Sequence, residues 1–160
     1  MALTLALALC ASGCGGSGQS ETSATTTAAT NGDGSLSKAE FVKKASSICI
    51  ETKERSSAAY RAYSQENSIP SSGPGLEAKA ADLVESVFVP LYEKQINEIG
   101  ALGAPAGERA QVEAMLVAMR QGLVAATRDP LAFIQSAAAL DRASELATAL
   151  GLSACGNGNA

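Results

Sequence analysis

The sequence predicts an all-α domain, a four-helix up-down bundle, and three observations carry that expectation. The composition is rich in alanine and poor in aromatic residues (4%), with neither tryptophan nor histidine, which suits close-packed helices better than a sheet sandwich. Apolar residues recur at three- and four-residue spacing through four successive segments, the period of one helical face. Between those segments stand clusters of proline and glycine that end helices. With 160 residues, of which roughly 120 carry the helical pattern, the length prior allows one modest domain.

The first helix begins at Lys38. Ser37 and Glu40 have the spacing of a capping box, and Leu36 is placed to pack on Phe41 as the hydrophobic staple. Phe41, Ala45, Ile48, Thr52, Ala59 and Tyr63 then form one stripe to about Ser64. Pro70, Gly73 and Pro74 make 68–75 a loop. The second helix starts near Leu76 and turns Ala80, Leu83, Val84 and Val87 inward. Pro90 is expected to kink or break it, by removing a donor, crowding the carbonyl of Ser86 and pushing Val89 away from helical angles. Leu91, Ile96, Ile99 and Leu102 resume the stripe as far as Gly103-Ala104-Pro105.

The third helix is expected from about Ala106 to Arg128, with Val112, Met115, Leu116, Met119, Leu123 and Ala126 inward. Asp129 caps a fourth, with Pro130 at its first position, where a missing donor does no harm. Phe133, Ala137, Leu140, Ala147 and Leu150 face inward. Gly151 stops that helix in a left-handed cap, and Leu152 folds back in the Schellman manner.

Everything before Leu36 has a different character. Met1 to Leu9 is apolar except for Thr4, the length of a signal h-region and far short of a membrane span. The following Ala11-Ser12-Gly13-Cys14 resembles the lipobox of bacterial lipoproteins. That resemblance implies cleavage before Cys14, diacylglycerol on its thiol, and a cell-membrane location on the extracytoplasmic face. Residues 1–13 then read as a signal peptide, although the basic residues that should open one are missing and point to a start codon further upstream. Cys10 competes poorly as the modified residue, because Leu9 is too large for the position that Gly13 fills. Residues 14–35, dominated by Gly, Ser, Thr and Ala, are expected to be a disordered tether with a reach of about 25 Å. Residues 36–156 are the bundle, and 157–160 a disordered tail.

Once Cys10 leaves and Cys14 is lipidated, Cys49 and Cys155 remain, and an oxidising compartment makes a disulfide between them the economical reading. Their contexts, Phe41-x-x-x-Ala45-x-x-Ile48-Cys49 and Gly151-Leu152-x-x-Cys155-Gly156, resemble small helical lipoproteins of unassigned function in actinobacteria and their relatives. That resemblance implies the fold and the bond, and no activity.

Charge and residue inventory exclude much. The net charge of −4 argues against nucleic acid as a main ligand. Without histidine there is no imidazole base, no Ser-His or Cys-His pair, and no Glu-x-x-His iron ligation. Asn31-Gly32-Asp33-Gly34-Ser35-Leu36 with Glu40-Phe41 is similar to an EF-hand calcium loop. Its first position falls on Ala29, which offers no side-chain oxygen, and no second loop pairs with it. Ser35-Leu36-Ser37-Lys38 has the S-x-x-K spacing of penicillin-binding proteins but lacks their other motifs. Met115 and Met119 lie one turn apart and are explained by core filling rather than copper.

The carboxylate pairs Glu77 with Glu85 and Glu108 with Glu113 could serve a hydrolase, but they are spaced as solvating charge. The first helix carries a net +3 and the segment Glu66–Glu98 a net −4, which favours pairing of these neighbours. The functional expectation is a lipid-anchored extracytoplasmic module that binds a protein or small-molecule partner. It needs no cofactor, no metal and no catalytic residue. The alternatives are a structural envelope protein and, behind it, a calcium-binding protein or a carboxylate-dependent hydrolase.

Overall fold

The computed structural model describes residues 36–70 and 72–156, which form helices joined by short loops and turns, with no strand among the described residues. Cys14, the expected signal and tether, most of the EF-hand-like stretch and the last four residues lie outside them.

The first helix, α1 (Lys38–Glu66), starts as its sequence dictates. Ser37 Oγ accepts from the Glu40 amide and the Glu40 carboxylate accepts from the Ser37 amide, which satisfies two otherwise orphaned donors. Leu36 is half-buried against the cluster that contains Phe41, as a staple requires. The Glu40 carboxylate also accepts from Ser37 Oγ at 2.8 Å. Both bonds fall on Oε2, one of the two carboxylate oxygens that a calcium loop would use at its last position.

Residues 74–101 form one uninterrupted helical run of three parts: α2 (Pro74–Leu83), a π turn (Val84–Phe88) and α3 (Val89–Ala101). The expected departure of Val89 from helical angles does not occur; its φ and ψ are −55° and −54°. The wider π register ends where Pro90 enters, so the chain stays helical through the proline instead of stopping before it.

The third helix, α4 (Arg109–Arg128), begins three residues later than expected, after a turn at Ala106-Gly107. The expected fourth helix is divided. Asp129 caps α5 (Pro130–Ser136) by accepting from the Ala132 amide at 3.1 Å, but Ala137 then adopts a left-handed conformation with φ 52°. A 3-10 turn (Ala138–Leu140) leads into α6 (Asp141–Ala149). At its end Gly151 has φ 87°. The Leu152 amide reaches back to the Ala147 carbonyl (2.8 Å), and the Gly151 amide to that of Thr148 (2.9 Å), the two bonds of a Schellman motif. Leu152 is fully buried by this return.

α1 packs on α3 and on the closing 3-10 turn (Ser153–Cys155), α4 packs chiefly on α6, and α5 packs on α2. The main core joins Phe41 and Ala45 to Ile96, Ile99, Met115 and Leu152. A smaller one gathers Val84, Ala126, Phe133 and Leu140. Met115 is fully buried and Met119 nearly so, consistent with core filling.

The turn from α1 to α2 is held by a polar clasp. Tyr63 donates its hydroxyl to Asp82 (2.7 Å), Lys79 Nζ donates to Asn67 Oδ1 (2.8 Å), and Asn67 Nδ2 donates to the Tyr63 carbonyl (3.0 Å). Burial, then the hydrogen bond to Asp82 and its negative charge, push the Tyr63 phenol from 10.0 up to about 12. The unfolded chain loses this proton near the ordinary phenol value while the folded chain keeps it, so stability falls as pH rises between those two values. Tyr63→Phe should flatten that loss. Urea midpoints at pH about 9 and about 11 check it, and an unchanged alkaline slope in the variant refutes it.

Candidate functional site

Depressions on the described surface fall in two areas: one of about 470 Å³ between α3 and α4 and one of about 480 Å³ along α3, both with Glu93 in their lining, and a connected set beside α1. Because α1 rests on α3 and the closing turn while α5 rests on α2, a trough is left between α1 and the chain's C-terminal third. Three depressions follow it. The first, of about 140 Å³, is lined by Cys49, Lys53, Tyr92, Gln95 and Met119, and by Leu140, Ala143 and the closing turn opposite. The second, of about 470 Å³, runs past Ser56, Ser57 and Arg61 to Phe88. The third, of about 190 Å³, includes Leu76, Leu83, Leu131 and Lys79. They share walls: Lys53 and Tyr92 line the first two, and Tyr60 and Ile134 the second and third. Together they make one groove.

Cys49 and Cys155 are bonded at its inner end, with their Cα atoms 5.0 Å apart. Cys49 is buried one helical turn after Ala45, and Cys155 is carried to it by the Schellman return of Leu152 and the short turn that follows. The buried amide of Gln95 donates to the Cys49 sulfur at 3.4 Å, a weak contact that orients this polar side chain beside the bond. Tyr92 stands edge-on to Phe133 at 6.5 Å between ring centres. Burial raises the Tyr92 phenol above its ordinary value, so at neutral pH it is an uncharged donor on the groove wall.

Ser56 sits in the middle of the α1 wall and breaks a local habit. Ser47 and Ser64 on the same helix donate to the carbonyls four residues earlier, at 3.1 and 2.8 Å. Ser56 is only 8% exposed, and its hydroxyl has no hydrogen-bond partner among the described residues. A buried hydroxyl left so costs about 1–3 kcal/mol. Small side chains at Ser56 and Ser57, between Lys53 and Tyr60, also open the second depression.

The charge lining is one-sided. Lys53, Arg61 and Lys79 line the three depressions and no carboxylate does, in a chain with an excess of acidic residues. The carboxylates considered from sequence lie elsewhere: Glu77, Glu85 and Glu113 are exposed, and Glu108 pairs with Lys38 at 2.6 Å. Among the described residues no three His, Cys, Asp or Glu side chains come together as metal ligands. Nor is any helix there long and apolar enough to cross a membrane.

Sequence reasoning placed the cysteine pair and missed the groove. Lys53, Ser57 and Arg61 recur every four residues on an exposed polar face that periodicity assigns to solvent. The signal available was Ser56, a serine on the buried stripe between Thr52 and Tyr63. Comparison of the chain with protein-family models, with curated proteins and with solved structures finds no match.

Proposed function

We propose that this chain is a lipid-anchored binding domain on the extracytoplasmic face of the cell membrane, and that the groove beside α1 is its binding site. The observation that carries the reading is the groove itself, a concave surface with an aromatic floor, one sign of charge on its walls and a buried hydroxyl in want of a partner. A purely structural envelope protein has no need of such a feature. The Cys49–Cys155 bond supports an oxidising compartment, and the lipobox-like Ala11-Ser12-Gly13-Cys14 supports the anchor. In this reading the helices compose a four-membered up-down bundle. Its second member is the run 74–101, bent near Pro90, and its fourth is the divided run 130–149. Catalysis forms no part of the reading.

Mass spectrometry of membrane-fraction protein tests the anchor. The expected mature chain begins at a diacylglyceryl Cys14, and Cys14→Ala should move it to the soluble fraction. An unmodified Met1 in the membrane-fraction protein refutes this.

A further inference from the structure

We propose that α4 docks against α4 of a second copy of this chain, running antiparallel to it, and that the surface used lies away from the groove beside α1. One side of α4 turns Met115, Met119 and Ala126 into the core. On the other side Ala110, Ala114, Val117, Gln121, Val124 and Arg128 are all exposed. Their spacing alternates between four and three residues, which is the seam of a pair of helices and not the pattern of a wholly solvated face. Val117 and Val124 are 42% and 51% exposed, large apolar side chains two turns apart on that seam. Covering both removes apolar surface from water, the main driving force of association.

Charge decides what the occupant is and which way it runs. Glu113 and Arg128 flank the seam near its two ends, exposed, and neither makes an ion pair among the described residues. Place a two-fold axis midway between Arg120 and Gln121. Val117 then faces Val124 of the second copy, Ala114 faces its Thr127, and Glu113 faces its Arg128, and each contact occurs twice by symmetry. A parallel pair would instead set glutamate against glutamate and arginine against arginine, which repels. A partner must therefore carry the same apolar spacing with its charges in reverse order, and this chain turned end for end is such a partner.

α3 borders the same surface. The depression between α3 and α4 has Val89, Ile96 and Leu123 in its lining beside Val124, and the edge of the second helix would lie along its mouth. The two Arg120 side chains come near the axis, where Glu93, which lines that depression together with Arg120, supplies the countercharge. From Ala110 to Arg128 the contact runs for about 27 Å of helix. That length places it at the low end of the roughly 1,200–2,000 Å² that stable interfaces bury, so the dimer is a weak one.

Sedimentation equilibrium of the full chain is the test. A monomer–dimer equilibrium with a dissociation constant of about 1–100 μM is expected. Glu113→Arg should weaken it about tenfold or more, by setting arginine against Arg128 at both ends, and Arg128→Glu should do the same with two glutamates. The variant carrying both changes restores opposite charges in exchanged order and should return to within about threefold of the native constant. That rescue separates docking from folding, because defects in the helix alone would add in the double variant instead of cancelling. Val117→Lys, which puts a charge in the seam, should leave the chain monomeric. A native chain that stays monomeric up to about 1 mM overturns the proposal. So does a dimer that the single charge variants leave unchanged, or one that the double variant fails to restore.

Discussion

Reducing the Cys49–Cys155 bond should cost the domain about 4 to 5 kcal/mol, the loop-closure entropy for a crosslink spanning 106 residues of sequence. Domains of this size have a total stability of about 5–15 kcal/mol, so the reduced chain would sit near the edge of folding at physiological temperature. The bond does more than close a loop. It fixes the closing 3-10 turn against α1 at the point where Leu152, fully buried, and Ala154 complete the main core. Urea denaturation with and without a thiol reductant, and of Cys155→Ser, should show the same downward shift of midpoint. A shift worth less than about 1 kcal/mol would mean that the packing of Leu152 holds the chain end without the sulfur, contrary to this account.

Gly122→Ala should destabilise by about 1–3 kcal/mol, against the usual preference of helices for alanine. A Cβ at this buried position of α4 would come within 2.6 Å of the Ala139 carbonyl oxygen and 2.6 Å of Leu140 Cδ2. The leucine end can turn aside; the backbone carbonyl belongs to the 3-10 turn 138–140 and cannot move without shifting α5 or α6. Gly100→Ala, on an exposed face of α3, makes the control. Its new methyl would meet only Leu116 Cδ1 at an ordinary 3.6 Å, so the helix preference should win and stabilise by up to about 1 kcal/mol. Opposite signs of the two changes in thermal denaturation are the expected result. The same sign for both would show that α4 can draw back from the turn at little cost.

Gly122 also shows why part of the fold was readable and part was not. The stripes from Phe41 to Leu150 were legible because burial follows the helical period, and Val112, Met115, Leu116, Met119, Leu123 and Ala126 are all buried as their spacing implies. Caps were legible because they are local chemistry: Ser37 with Glu40, Asp129 before Pro130, and Gly151 with Leu152. The break at Ala137 was not, since Ser136-Ala137-Ala138-Ala139 has good helix propensity and no turn residue. The left-handed alanine costs roughly 1–2 kcal/mol locally. It lies where the 138–140 turn is pressed onto Gly122, a contact between segments that no window of sequence contains.

Pro90 misled in the other direction, because the rule for proline describes a regular α-helix and the chain meets it with a π turn. The groove was hidden for a third reason. It is made by what α1 does not touch, and its cations, read in sequence, are indistinguishable from solvated charge. Charge attraction was expected between the basic first helix and the acidic second, but the side-chain bond to an acid there comes from a neutral donor, Tyr63 to Asp82, and the cation Lys38 pairs instead with Glu108 at the start of α4.

α1 is 29 residues long, about 43 Å from end to end, and its parts have separate duties. The segment from Lys38 to Cys49 receives the chain from Leu36 and is riveted by sulfur to Cys155, and from Cys49 onward the helix forms one bank of the groove. A pull applied at Leu36 would enter the domain through this helix, and the Cys49–Cys155 bond would pass part of the load to the closing turn and so into the main core.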